Sequence, residues 1–203
     1  MSDLGRPRWI ALLAGVMLLV GTTALDRASA SSAATPGGST LRAGSANETA
    51  LRRGVVAALA AKAPRVDSQL SGRIAASIAR CGREQALAPD LVLAILMQES
   101  SARPGAHSPK GAIGLMQVMP HMYEVLDLPG SAAHVEANIE AGCRLLADNI
   151  RRLGEERGIS TYCWGNNVGN DRYLRSVQRL RRDLRPYLVD GIGVDGSGEQ
   201  VSG

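Results

Sequence analysis

Seven consecutive apolar residues, Leu91 to Met97, stand between Pro89-Asp90 and Gln98-Glu99. Ala88-Pro89-Asp90 breaks the chain and restarts it, since proline suits the first helical turn. The run therefore predicts a helix that is apolar on every side, and such a helix has to be buried. Glu99 closes it. Burial disfavours the charged form of a carboxyl group and raises its pKa. The negative end of the helix macrodipole pushes the same way. A carboxylic acid still protonated near neutral pH is what general acid catalysis requires. The plainer alternative is a Glu that turns back to solvent at the end of a core helix.

The residues after Glu99 favour the chemical reading. Ser108 and Pro109 open a loop, and Gly111 and Gly114 frame Ala112 and Ile113. That spacing predicts a tight turn in which backbone comes close to something else. Leu115, Met116 and Gln117 read as the start of a short helical segment ended by Pro120. An acid, a glycine-hinged loop and polar side chains beside them make the inventory of a pocket.

These residues resemble a known family. Glu99-Ser100, Ser108, Gly111-Ala112-Ile113-Gly114-Leu115-Met116-Gln117 and Pro120 are similar to the signature of soluble lytic transglycosylases. A second element of that family, Asn-Ile followed by Gly on a helix, is matched by Asn138-Ile139-Glu140-Ala141-Gly142. A third, Ala-Tyr-Asn-x-Gly, is matched in altered form by Thr161-Tyr162-Cys163-Trp164-Gly165, with Cys163 in place of Asn. The resemblance covers about residues 77–180. It implies an all-α, goose-lysozyme-like domain with a cleft, acting on bacterial peptidoglycan. It also implies a catalytic role for Glu99 and substrate contacts from Ser108, Met116, Gln117 and Tyr162. Met116 is placed either in the apolar floor of the site or in the core. Trp164 competes with Tyr162 for the position facing the sugar. Gly165 matches the family only when Tyr162 takes that position, so Tyr162 is chosen.

The implied reaction needs one carboxylate. Glu99 protonates the oxygen of the β-1,4 bond between N-acetylmuramic acid and N-acetylglucosamine, then accepts the proton of the muramic C6 hydroxyl as that oxygen closes on C1. Hydrolysis by two carboxylates needs a second acid, and Glu124, Asp127, Glu136 and Glu140 stand in no comparable motif. A hydrolytic muramidase on the same fold is the nearest rival. A non-catalytic wall-binding or secretion-apparatus component is the rival from another class, and Cys163 keeps it open. Small single-domain members of the family often serve secretion systems or pili, so such components are further expected partners.

The rest of the chain frames this domain. Its 203 residues suggest one domain with appendages. Phe is absent and aromatics are 3%, so the core must be built from Leu, Val, Ile, Ala and Met, which suits helices better than sheet. Residues 1–30 have the layout of a secretory signal peptide: Arg6 and Arg8, an apolar stretch from Trp9 to Val20, and Ala28-Ser29-Ala30 as a cleavage site. Export to the periplasm follows from that reading. Residues 31–66 read as a linker, Ser/Ala/Gly/Thr-rich up to about Asn47, with an extra helix over Glu48 to Lys62. The domain proper is assigned to residues 67–190. Asp67 or Ser68 caps its first helix, a longer helix runs from about Ala132 to Leu153 and stops at Gly154, and a last one runs from about Asp171 to Leu188. The tail, residues 191–203, reads as disordered.

Of 23 basic residues only Lys62 and Lys110 are lysine. Arg172, Arg175, Arg179 and Arg182 share one face of the last helix, which reads either as a solvated face or as a contact for wall carboxylates or lipid headgroups. Export takes the protein away from nucleic acid. The spacings of Cys81, Cys143 and Cys163 do not resemble a zinc motif, and no metal or cofactor is implied. Export permits a disulfide. In the resembling fold the elements of Cys143 and Cys163 pack together, so that pair is preferred with Cys81 free, and Cys81 with Cys163 stays open.

Overall fold

The computed structural model describes residues 37–165 and 170–190. The signal-peptide assignment, the first six linker residues and the tail from residue 191 lie outside the described residues. Among the described residues seven helices follow one another: α1 Gly37–Lys62, α2 Ser68–Gln85, α3 Pro89–Ser100, α4 Met122–Val125, α5 Val135–Leu153, α6 Glu155–Trp164 and α7 Arg172–Asp190. Among the described residues the extended backbone amounts to two isolated bridges, His107 with Ile113 and Ile113 with Val118. The fold is all-α, as expected.

α3 is the axle. Leu91, Val92, Leu93, Ala94, Ile95 and Leu96 are all buried, each large aliphatic contributing roughly 1.5–3 kcal/mol relative to exposure. α2 and α7 pack against α3, α1 packs on α2 and α7, and α5 packs on α2 and pairs with α6. The ends of the helices are set locally. The side chain of Asp67 accepts from Leu70 N at 2.7 Å and caps α2. Pro89 occupies the first turn of α3. Gly154 ends α5, its N–H donating to Ile150 O at 2.9 Å. Val135, Ile139, Cys143 and Leu146 form the buried stripe of α5, and Tyr173, Val177, Leu184 and Leu188 that of α7. Arg172, Arg175, Arg179 and Arg182 all lie on the exposed side of α7.

Two expectations change. The helix expected from Glu48 begins at Gly37 instead. Residues 37–47 hold three glycines and two alanines, so local propensity does not explain the extension; the helix is anchored where Glu48 pairs with Arg83 and Val55, Ala58 and Leu59 enter the core. The disulfide joins Cys81 to Cys143, with Cα atoms 6.1 Å apart, and Cys163 is free. Both bonded cysteines lie on the buried faces where α2 meets α5. Cys163 sits on the exposed last turn of α6, so packing of α6 on α5 does not bring it to Cys143.

One ion cluster fastens the start of α3 to α7. The Asp90 side chain accepts from Leu91 N at 2.9 Å, from Arg181 at 2.9 Å and from Arg185 at 3.1 Å. Burial alone would raise the Asp90 pKa, but the hydrogen bonds and charges of Arg181 and then Arg185 outweigh it and hold the pKa below the ordinary carboxylate value. A depressed folded pKa means stability that is present above the ordinary carboxylate range and lost as pH falls through the folded value. Asp90→Asn should therefore lower stability by about 1–3 kcal/mol at pH 7. In denaturant titrations the deficit should shrink as pH is lowered into the acid range. A deficit independent of pH would show that the charge is not what matters.

Candidate active site

Glu99 lies in the last turn of α3, half-buried, one residue before the buried Ser100. Tyr173, on the inner face of α7, donates its hydroxyl to Glu99 Oε1 at 2.5 Å. Burial raises the Glu99 pKa, and the Tyr173 hydrogen bond opposes part of that rise. The Tyr173 phenol is itself held far above its ordinary range, first by burial and then by the Glu99 charge. It thus stays a donor at any physiological pH. The neighbouring Gln98 accepts from Ser176 Oγ at 2.5 Å, so consecutive residues of α3 are both tied to α7.

Ser100 attaches the following loop. Its hydroxyl is within hydrogen-bond distance of Leu115 O at 2.8 Å and of Leu96 O at 3.2 Å. The loop is a tight, ladder-like excursion. Gly111 N donates to Ser108 O, Ile113 and Val118 exchange both backbone bonds, and Gly114 N donates to Ala106 O. Gly111 and Gly114 both have positive φ, at 89° and 83°. At Gly114 a Cβ would also stand 2.6 Å from Asn138 Nδ2, so backbone angle and close approach both demand glycine. Leu115 to Gln117 form a turn and not the expected helical start. Gln117 takes positive φ, at 50°, and its N–H donates to Gly114 O.

Asn138 of α5 locks this turn. It accepts from Met116 N at 2.8 Å and donates to Ile113 O and Ala132 O, both at 2.9 Å. Tyr162 of α6 donates to Met116 O at 2.8 Å. The Met116 side chain is fully buried and lies over Gly142, where a Cβ would come within 2.6 Å of its sulfur. Met116 is therefore core, and its peptide group is what faces its neighbours. Ser108 Oγ accepts from Ala112 N at 3.0 Å, and Gln117 Nε2 donates to Ala106 O and Gly114 O. Both side chains hold the loop in shape.

Electrostatics group Tyr162, which was expected in the site, and its neighbour Cys163, which was not, with Glu99. The Tyr162 pKa is raised well above normal by burial first and by Glu99 second. Cys163 is exposed as a residue, yet partial burial of its thiol and then the Glu99 charge raise its pKa, with Lys110 acting in the opposite sense. Trp164 is 40% exposed. Among the other acids, Glu136 pairs with Arg73 and Glu140 with Arg144.

Residues 77–181 match the transglycosylase SLT domain. The chain belongs to this family. It is 34% identical over 118 residues to the transglycosylase of Enterobacteria phage PRD1, a match that takes in 53% of this chain and 44% of the phage protein. The chain thus spans less than half of that relative. Two solved structures are similar. One is an inactive mutant of lytic transglycosylase Slt from Pseudomonas aeruginosa, with TM-score 0.43 and 20% identity over 57% of this chain and 23% of that one. The other is the 70 kDa soluble lytic transglycosylase of Escherichia coli, with TM-score 0.42 and 21% identity over 75% of this chain and 28% of that one.

Within the SLT domain, Tyr173 and Ser100 carry roles that the sequence alone did not assign, and Asn138 was matched without a role. The signal for Tyr173 is nonetheless present. It is a phenol in an otherwise aliphatic helix stripe, and a buried hydroxyl needs a partner. Tyr173→Phe should leave the SLT domain folded, at a loss of about 1 kcal/mol. Because the hydroxyl favours the ionised carboxylate, the Glu99 titration midpoint should move up in a carbon-13 NMR titration. A midpoint that stays put or falls would mean the contact does not tune the acid.

Proposed function

We propose that the chain is a peptidoglycan lytic transglycosylase with Glu99 as its catalytic acid and base. One observation carries the reading: a buried carboxyl group with a raised pKa, oriented by the Tyr173 hydroxyl, beside a loop held rigidly by Ser100, Asn138 and Tyr162. A raised pKa keeps a proton on Glu99 for the glycosidic oxygen. As the bond between N-acetylmuramic acid and N-acetylglucosamine breaks, the substrate's N-acetyl carbonyl stabilises the developing cation. Glu99, now ionised, takes the proton of the C6 hydroxyl. That oxygen bonds to C1 and leaves a 1,6-anhydro end, with no water consumed.

The side chains that shape the loop keep one valence each for substrate. Ser108 accepts from Ala112 and retains its O–H donor. Gln117 uses its amide N–H groups on the loop and retains its carbonyl oxygen. Tyr162 donates to Met116 and retains acceptor capacity. Together these suit one acetamido group and one sugar edge. Glu136 and Glu140 are engaged by arginines, which leaves Glu124 and Asp127 as the acids a hydrolytic muramidase would have to call on.

The same reading puts the protein outside the cytoplasm, at the wall, where it would open local gaps for a secretion or pilus apparatus. Among the described residues no helix is long and apolar enough to cross a membrane. Mass spectrometry of products from purified peptidoglycan tests the chemistry. Anhydro-muropeptides are expected. Reducing ends would mean hydrolysis, and absence of products would mean a binding role.

A further inference from the structure

A concavity of about 530 Å³ lies between α1, α2 and α5. Its walls carry four guanidinium groups, Arg52 from α1 and Arg73, Arg80 and Arg83 from α2. Two acids share the space. Glu136 takes two parallel hydrogen bonds from Arg73, both 2.7 Å, and Glu48 takes one from Arg83 at 2.5 Å. Arg52 approaches Glu48 only at 3.8 Å. Four cations against two carboxylates leave the groove positive.

Arg80 is the odd member. It is half-buried, and among the described residues it has no acid within ion-pair distance and no hydrogen bond, though its charge helps to hold the Glu136 pKa at about 2, after the larger effects of Arg73. Its guanidinium donors are thus free for a ligand. Ser77 also lines the groove and is only 4% exposed. Residues 73, 77 and 80 are spaced by four and three, so they share one face of α2. Ser77 therefore stands on that face between a paired and an unpaired arginine.

We propose that this groove is a binding site for a phosphate-class dianion. The donors stand on two elements, Arg52 on α1 and Arg73, Arg80 and Arg83 on α2. Several guanidinium groups along one groove suit an oxyanion with three or four acceptor oxygens. The existing ion pairs need not break, because a guanidinium has five donors and Arg73 and Arg83 spend two and one of them on the glutamates. A charge of minus two would balance the excess. The ligand can be free phosphate or the phosphate of a lipid headgroup. The site is independent of Glu99 and of the wall reading.

Isothermal titration of the full chain with inorganic phosphate, at constant ionic strength set with chloride, tests the site. Saturable binding at about millimolar or tighter is expected, and Arg80→Gln should weaken it by at least about tenfold. Ser77→Ala, which merely removes a hydroxyl, should weaken it by a smaller factor and guards against misfolding of the arginine variant. Co-sedimentation with vesicles of phosphatidic acid in phosphatidylcholine separates the sources. Retention abolished by Arg80→Gln assigns the headgroup, and phosphate binding without retention assigns free phosphate. No saturable heat up to about 10 mM phosphate, or equal binding by wild type and Arg80→Gln, would overturn the proposal. Glycan cleavage is measured separately, so loss of that activity and loss of phosphate binding remain distinguishable.

Discussion

Glu99→Gln should lower cleavage of peptidoglycan by at least ~10²-fold while leaving the protein folded. The substitution keeps the shape of the side chain and its capacity to accept from Tyr173, and removes only the transferable proton. Its effect on stability has a definite sign. The folded pKa of Glu99 is raised, chiefly by burial. The carboxyl group therefore contributes stability that is complete below the ordinary carboxylate value and is lost as pH rises through the raised one. Gln does not titrate. The variant should gain on the wild type across that window and melt at the same or a higher temperature at neutral pH. Product formation near the wild-type rate would remove Glu99 from the mechanism. A variant that melts lower at neutral pH than in mild acid, relative to wild type, would contradict the electrostatic account.

Reduction of the Cys81–Cys143 bridge should have the largest effect on stability. The bond spans a sequence separation of 62, and closure of a loop that long is worth about 4 kcal/mol in the chain-entropy account. For a domain of this size that corresponds to a melting temperature lower by roughly 10 °C. Melts with and without a phosphine reductant measure it directly. Alkylation of denatured, unreduced protein should label Cys163 alone, because it is the free thiol. Three labelled cysteines in material from an oxidising compartment would show that the bridge does not form there.

What could be read from sequence was whatever depends on neighbours along the chain. The seven-residue apolar run, the Asp67 cap, the Gly154 stop and the stripes of α5 and α7 follow from helical periodicity, and the structure contains each. The same run raised a buried Glu99 as one of two readings, and the structure has it half-buried. What escaped depends on partners distant in sequence. Tyr173 lies 74 residues from Glu99, and nothing local distinguishes it from the other apolar positions of its stripe except its hydroxyl. Cys81 and Cys143 pair because α2 packs on α5, whereas the Cys143–Cys163 expectation rested on the packing of α6 on α5 without regard to which way Cys163 points. Leu115, Met116 and Gln117 look like a helix start by composition. They become a turn because Asn138 and Gly114 oblige the backbone to reverse. α1 begins earlier than expected although residues 37–47 carry three glycines, and local propensity gives no reason for it.

The peptide group of Met116 is gripped on both sides, its N–H by Asn138 and its carbonyl by Tyr162. Neither grip reads the methionine side chain, which is a separate matter between the sulfur and Gly142. The three motif segments are therefore geared to one another through a single backbone unit. Such parts cannot be inherited or exchanged piecemeal. A chimera that takes the 108–117 loop from one relative and the α5–α6 hairpin from another should mesh only if the asparagine, the tyrosine and the small residue under position 116 travel with it. Divergence in this family is then expected to run freely around that gear and to stop at its teeth.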